Sequence, residues 1–200
     1  MDLCGARLHL ERHPVADPTA LDSVIPARYR DARITALDTG APEAAAVVRE
    51  YLDQFWLYAS RGRAPAFVGV TESYKTTAAA VIARRVWVGA RLPVVWVNCG
   101  TELTMMEAQW FRNGTSSDKT LRQWQAAPFL ILDDITLART GSRQADLLGA
   151  VLSSRFDAEL PTCWTGNAKM QTLEADLASR FGAAVTRRLL EGSAGFRIVT

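Results

Sequence analysis

The sequence predicts an α/β protein in which a parallel β-sheet is flanked by helices. Short apolar runs alternate along the chain with longer stretches of helical periodicity, and each stretch is long enough to cross over a sheet. The apolar runs lack the polar alternation of half-exposed strands, which indicates strands that are buried on both faces. Polar residues directly follow several of these runs, at the sheet edge where such folds bind ligands.

The composition is that of an ordinary soluble globular protein. The 200 residues are 48% apolar and 22% charged, enough for one domain with a sizeable core. The net charge of +2 does not by itself indicate a nucleic-acid partner. Three scattered cysteines suggest a reducing compartment, and no apolar run approaches the length of a membrane span. We therefore expect a cytoplasmic protein without a membrane partner.

The predicted elements occupy most of the chain after residue 40. Predicted strands cover residues 66–70, 93–98, 129–134, 162–166 and 196–199. Predicted helices cover residues 42–60, 76–88, 101–112, 118–126 and 144–156, and most of 171–190. Residues 1–40 have little periodicity and several breakers, so we expect residues 1–24 to form a partly ordered arm before a domain of residues 25–200. Cys4, His9 and His13 in this arm are a weak zinc-site hypothesis, because a fourth ligand is missing.

Residues 69–77 resemble a P-loop, G-x-x-x-x-G-K-[ST], between a predicted strand and a predicted helix. In a P-loop, consecutive backbone N–H groups surround a phosphate at a helix N-terminus. Lys75 would reach the β- and γ-phosphates, and Thr76 would offer its hydroxyl to Mg²⁺. The alternative is an ordinary strand–turn–helix with a surface lysine. The candidate nucleotide-binding residues are Gly69, Val70, Thr71, Glu72, Ser73, Tyr74, Lys75, Thr76 and Thr77.

Two acidic residues and an asparagine at other strand ends favour the P-loop interpretation. Asp133 and Asp134 follow four apolar residues, as in a Walker B strand. Asp133 would hold Mg²⁺, and Asp134 would orient or deprotonate the attacking water. Asn167, after the strand at 162–166, would position water or sense the γ-phosphate. The alternatives are a turn-forming aspartate pair and a turn-forming asparagine.

Three arginines in the last helical region are further candidates for catalytic residues. Arg180, Arg187 and Arg188 lie in the last helical region. An arginine that reaches a neighbouring subunit's nucleotide stabilises charge that develops during phosphoryl transfer. The alternative is that each is a solvated helix charge.

Taken in order, these motifs resemble the AAA+ ATPases of the DnaC helicase-loader and IstB transposition-helper type, which are relatives of the DnaA initiator. The similarity begins at Ile-Pro-Ala-Arg-Tyr-Arg-Asp over residues 25–31. It continues through the loop that leads to Lys75-Thr76 and the strand that leads to Asp133-Asp134, and it extends to Thr165-Gly166-Asn167. Residues 182–189 are similar to the box that carries the arginine finger. The resemblance implies a P-loop AAA+ (ASCE) parallel sheet with a truncated or minimal lid, which binds ATP and Mg²⁺. It makes Arg188 the finger and Arg180 a second candidate.

The loop and the finger box depart from the family pattern. Glu72 and Tyr74 replace the two later glycines of the loop, and Ala184 replaces the first arginine of the finger box. Glycine at such places supplies positive φ or lets the backbone approach phosphate closely. These departures make ATP hydrolysis the open point of the prediction.

The resemblance implies an ATP-dependent DNA-replication accessory protein, most like a loader of the replicative helicase. We expect a homo-oligomer that binds single-stranded DNA and holds ATP between its subunits. Basic side chains at one rim of the protein would contact the DNA, among them Lys119, Arg122 and Arg143. One alternative is a transposition helper that binds duplex DNA. Another is a degenerate P-loop adaptor that does not hydrolyse ATP.

Overall fold

The protein contains a five-stranded parallel sheet with the strand order β2-β3-β4-β1-β5. The structure, a computed structural model, describes residues 17, 20–71, 73–113, 118–139, 143–193 and 197–199. The strands are β1 Ala66–Gly69, β2 Val94–Asn98, β3 Phe129–Asp133, β4 Thr162–Asn167 and β5 Arg197–Val199. The predicted fold class is thus confirmed.

In the part of the chain that the structure describes, the first helices precede β1 and the later ones connect the strands as crossovers. The helices are α1 Leu21–Val24, α2 Ile34–Gly40, α3 Pro42–Asp53, α4 Phe55–Ala59, α5 Lys75–Arg85, α6 Cys99–Asn113, α7 Asp118–Ala126, α8 Arg143–Asp157, α9 Leu173–Phe181 and α10 Ala183–Gly192. Single turns of 3-10 helix cover Ala27–Tyr29 and Ile135–Leu137, and a π-helical turn, Val86–Ala90, extends α5. Among the residues described, no helix combines the length and the apolar character that crossing a bilayer requires.

Two apolar layers sandwich the sheet. Phe67, Phe129 and Ile131 point to one face, where they pack against α1–α5. Val68 and Leu132 point to the other face and pack against α6–α10. Because neighbouring residues of a strand face opposite ways, a sheet covered on both sides needs apolar residues at every strand position. That requirement explains the continuous apolar runs of the sequence.

The region before residue 60 differs from the prediction in two ways. Residues 20–40 contain two short helices where little structure was expected, and Leu21, Ile25 and Leu37 are buried in the first apolar layer. Helices this short are stable only through such packing, so they leave no periodic signal. The predicted single helix at 42–60 is interrupted at Gln54, and Phe55 beyond the break packs 6.2 Å from the ring of Phe129. The zinc hypothesis for Cys4, His9 and His13 lies outside the described residues.

Strand register brings the predicted polar residues to one edge of the sheet. Gly69 at the end of β1 pairs with Asn167 at the end of β4. On the other side of β4, Leu132 pairs with Trp164, so Asp133 and Asp134 emerge at the same edge. The carboxyl ends of β1, β3 and β4 therefore face one common space.

Candidate functional site

A cavity of about 550 Å³ opens at the carboxyl edge of β1, β3 and β4. It has the size of a nucleotide or small-ligand site. A similar cavity of about 600 Å³ lies between α3, α4 and α5, away from the acidic strand ends. The residues that line the first cavity and were predicted as site residues are Thr71, Ser73, Tyr74, Lys75, Thr76, Thr77, Asp134 and Asn167.

The loop between β1 and α5 closes on itself around the ammonium of Lys75. The Ser73 hydroxyl donates a 2.6 Å hydrogen bond to the Val70 carbonyl, which tightens the turn. The Lys75 ammonium donates to the same carbonyl and, over 2.9 Å, to Ser73 Oγ. Only 8% of Lys75 is exposed. Burial lowers the pKa of Lys75, and the charges of Asp134 and Asp133 oppose that shift.

Tyr74 adopts the backbone conformation that a glycine normally supplies. Its φ of 59° and ψ of 11° lie in the left-handed region, and it is the N-cap of α5. This region is uncommon for a residue with a large side chain. The second glycine of the P-loop pattern is thus replaced in the sequence, while the corresponding backbone shape is retained. Glu72, the other departure, lies outside the described residues.

Asp133, the last residue of β3, is hydrogen-bonded to residues of α5 and β4. Its Oδ1 accepts hydrogen bonds from Thr76 Oγ1 at 2.9 Å and from Thr165 Oγ1 at 2.8 Å. Burial raises the pKa of Asp133, and the two threonine hydrogen bonds oppose that shift. The hydroxyl and carboxylate oxygens of Thr76 and Asp133 are ligands that Mg²⁺ prefers. These two residues therefore fit the metal role predicted for them.

Asp134 is held by three contacts at the end of β3. It has a left-handed φ of 56°, and its backbone N–H donates to Thr165 Oγ1 at 2.8 Å. Asn167 Nδ2 donates to Asp134 Oδ2 at 2.7 Å, and Thr136 Oγ1 donates to Oδ1 at 2.5 Å. The backbone N–H of Asn167 in turn donates to Thr136 Oγ1 at 3.0 Å. The carboxylate is thus oriented by one neighbour on β4 and one in the 3-10 turn that follows β3.

The predicted arginines do not line this cavity. Arg188 lies 3.6 Å from a carboxylate oxygen of Asp157 and 5.9 Å above the ring of Phe156, beside the start of β4. Arg180 donates a 2.8 Å hydrogen bond to the Ala138 carbonyl, past the 3-10 turn that follows Asp134. Arg187 forms an exposed i,i+4 ion pair with Glu191. An arginine that acts on a neighbour's nucleotide must point away from its own site, so this placement leaves the finger prediction open.

The predicted DNA-binding side chains lie on the helical layer formed by α6–α10. Lys119 and Arg122 are exposed on α7, and Arg143 is half-buried at the start of α8. None of the three lines the cavity.

Four further residues belong to the site but were not predicted as site residues. Arg28 and Tyr29, in the 3-10 turn at Ala27–Tyr29, form part of the cavity wall. The similarity over residues 25–31 marked this segment without assigning it a role. Thr165 and Thr136 hold the two aspartates, and only tertiary contacts reveal that function.

Several solved structures share the overall fold of this chain. A DnaC helicase loader superposes with a TM-score of 0.72 at 22% identity, over 87% of this chain and 99% of the other. DnaI superposes with a TM-score of 0.66 at 20% identity, over 90% and 96%. A DnaA initiator bound to AMPPCP and single-stranded DNA superposes with a TM-score of 0.64 at 15% identity, over 88% of this chain and half of that protein.

No protein-family model and no curated protein matches the sequence. The structural likeness lies at 22% identity or below, so it concerns the fold. The chain has the fold that the DnaC, DnaI and DnaA structures share.

Proposed function

We propose that this protein is an ATP-binding DNA-replication accessory protein of the helicase-loader type. The observation that carries the proposal is that Lys75, Asp134 and Asn167 line one cavity and that Asp133, which is not part of the lining, is hydrogen-bonded to a threonine of the cavity wall. The four residues come from β1–α5, β3 and β4, and the strand register brings them together.

The loop and α5 would bind the phosphates of ATP. The first N–H groups of α5 have no partners within the helix and can donate to an anion, and the helix dipole favours negative charge there. A bound phosphate would replace the Val70 and Ser73 oxygens as the acceptor for the Lys75 ammonium. Thr76 and Asp133 would hold Mg²⁺, which would neutralise phosphate charge when bound.

The arrangement of Asp134 suits it to general-base chemistry. In hydrolysis, water attacks the γ-phosphorus, the bond to the β–γ bridging oxygen breaks, and ADP and phosphate result. Asp134 would accept the proton of the water, while Asn167 and Thr136 keep its carboxylate in one orientation.

The proposed function includes assembly of a homo-oligomer and contact with single-stranded DNA. ATP would lie between subunits of a homo-oligomer, with Arg188 or Arg180 of one subunit facing the nucleotide of the next. Lys119, Arg122 and Arg143 would contact the phosphates of single-stranded DNA. The partner would be a replicative helicase. Support comes from the fold shared with DnaC, DnaI and a DnaA that binds AMPPCP and single-stranded DNA.

One observation favours a second candidate, an adaptor that does not hydrolyse ATP. The Lys75 ammonium already has two acceptors in its own loop, so a phosphate must displace them. A loop that retains this internal arrangement would bind nucleotide weakly and would act through its surfaces.

Nucleotide titration distinguishes the two candidates. We expect the wild type to bind a fluorescent ATP analogue in Mg²⁺ and to release phosphate, and we expect Lys75→Met to lose both. Thermal unfolding of each protein checks that the variant is folded. Binding without turnover, unchanged by single-stranded DNA, would favour the adaptor, and absence of binding by wild type would refute the ATP-dependent function.

A further inference from the structure

Tyr74 and Gly40 form a contact that links the loop to the end of α2. The outer end of the Tyr74 ring lies directly over Gly40, the last residue of α2. A methyl group on Gly40 would lie 2.6 Å from the Tyr74 hydroxyl oxygen and closer still to two ring carbons. Side chains essentially never make contacts that close, so the ring position requires a glycine at residue 40.

The backbone of Tyr74 determines how α5 begins. Its carbonyl accepts the first helical hydrogen bond, from the Ala78 N–H at 2.8 Å. Its left-handed φ therefore sets the direction of the loop as it enters the helix. A non-glycine residue holds this conformation only when its surroundings impose it. Tyr74 is 42% exposed, and its contact with Gly40 restrains the outer end of its ring.

We propose that Tyr74 is a positioning residue, whose ring on Gly40 keeps the P-loop in a glycine-like shape. In this arrangement the glycine that the loop lacks at residue 74 is compensated by the glycine at residue 40. The loop then presents the N–H groups of Lys75 and Thr76 as an ordinary P-loop would. The inference rests on the proposed nucleotide site for its effect on binding, but the contact itself is independent of ligand.

The first test is a set of substitutions at Tyr74. Tyr74→Ala removes the ring but keeps the cost of a left-handed residue, so we expect affinity for a fluorescent ATP analogue to fall roughly five- to tenfold. Tyr74→Phe keeps the ring, and the described residues offer its hydroxyl no hydrogen bond, so this variant should recover affinity relative to Tyr74→Ala. Tyr74→Gly should recover it as well, because glycine adopts positive φ freely.

The second test is a double-mutant cycle with Gly40→Ala. In the wild-type background this change should displace the ring, weaken binding and lower the midpoint of thermal unfolding by roughly 2–4 °C. In the Tyr74→Gly background the same change should be neutral or stabilising, because alanine is the better helix former. Gly89→Ala is the matched control, since a methyl group there meets no atom within 4 Å.

The outcomes separate this inference from the proposed function. The positioning role would be overturned if Gly40→Ala changed nucleotide affinity and the unfolding midpoint equally in both backgrounds. It would also be overturned if Tyr74→Phe and Tyr74→Gly recovered no nucleotide affinity relative to Tyr74→Ala. If the wild type binds no nucleotide, the proposed function fails, and the unfolding midpoints alone decide whether the two residues are coupled. If Gly40→Ala lowers the unfolding midpoint in the wild-type background and raises it in the Tyr74→Gly background, the positioning role is still supported.

Discussion

The side-chain amide of Asn167 donates a 2.7 Å hydrogen bond to Oδ2 of Asp134, which joins the ends of β4 and β3. Oδ1 of the same carboxylate accepts from Thr136. Both carboxylate oxygens are therefore held, so the group cannot rotate without losing a hydrogen bond. This restraint is what a general base needs in order to accept a proton from one direction.

Removal of that restraint should impair turnover more than binding. We expect Asn167→Ala to lower the rate of phosphate release by roughly 10²-fold, the low end of a general-base contribution, with the nucleotide dissociation constant nearly unchanged. Steady-state phosphate release and a binding titration measure the two effects. Gln171→Ala, an exposed change just beyond β4, is the control. An equal loss in affinity and turnover would place Asn167 in ground-state binding.

Thr76 should account for the effect of magnesium on nucleotide affinity. Its hydroxyl donates to Asp133 at 2.9 Å, so the two oxygens lie close enough to share one ion. In Mg²⁺, Thr76→Val should bind an ATP analogue roughly tenfold more weakly than wild type. Chelation of Mg²⁺ should lower the affinity of the wild type for the ATP analogue but leave the affinity of the valine variant almost unchanged. Thr76→Ser should restore the magnesium dependence, and a valine variant that still responds fully to Mg²⁺ would exclude this role.

The stability of the protein should depend on the ionisation of Asp133. Burial raises the pKa of Asp133 above its ordinary value of 3.8, so the folded state binds this proton more tightly than the unfolded chain. The contribution of Asp133 to stability is therefore fully present below pH 3.8 and is lost as the pH rises through the native pKa. A pKa difference of one between the folded and unfolded states is worth about 1.4 kcal/mol.

A neutral side chain at residue 133 removes the free-energy cost of holding an ionised carboxylate in a buried position. We expect Asp133→Asn to be more stable than wild type at pH 7, with an advantage that shrinks as the pH falls toward 3.8. Urea unfolding of both proteins across this range measures the difference, in which titrating groups that do not interact with residue 133 cancel. An asparagine variant with no pH-dependent gain would show that burial of the Asp133 carboxylate does not destabilise the folded state.

Arg155 should be essential for stability. It is fully buried in α8, and its guanidinium donates to Thr162 and to the carbonyls of Trp124, Gln125, Ala127 and Pro161. Burial lowers the pKa of Arg155 to about 9. Arg155→Met would leave several buried carbonyls without donors, each at a cost of about 1–3 kcal/mol.

The total loss for Arg155→Met should therefore be at least about 3 kcal/mol in the free energy of unfolding, as measured with urea. Arg187→Met is the matched control, because its exposed ion pair with Glu191 is worth about 0.5 kcal/mol or less. Similar losses in the two variants would show that the hydrogen bonds from Arg155 to the carbonyls contribute little.

DNA affinity should depend on the exposed charges of α7. The double substitution Lys119→Ala/Arg122→Ala should weaken binding to a single-stranded oligonucleotide and reduce the slope of log affinity against log salt by about 0.7 for each phosphate that the protein no longer neutralises. Fluorescence anisotropy at several salt concentrations measures both. Arg91→Ala, an exposed change beyond the π-helical turn, is the control. An unchanged slope would remove α7 from the DNA-contact surface.

Much of the architecture follows from local patterns in the sequence. The runs at Phe67-Val68 and Leu130-Ile131-Leu132 are apolar at every position, as expected for short strands that are covered on both faces. The crossover lengths then imply parallel pairing, and parallel pairing places Lys75, Asp133 and Asn167 at one edge. These steps use only short-range chemistry, and the structure agrees with them.

Other features depend on partners that are distant in the sequence. The roles of Thr165 and Thr136 exist only because strand register brings them to the aspartates, and the short helices before residue 41 exist only through burial of residues such as Leu37. The loop shows the same contrast. The sequence determined a strand, a turn and a lysine-threonine helix start, but at residue 74 it predicted only a missing glycine. Tertiary structure decided the outcome there, because the space above Gly40 accommodates the ring of Tyr74 and the left-handed backbone persists without glycine.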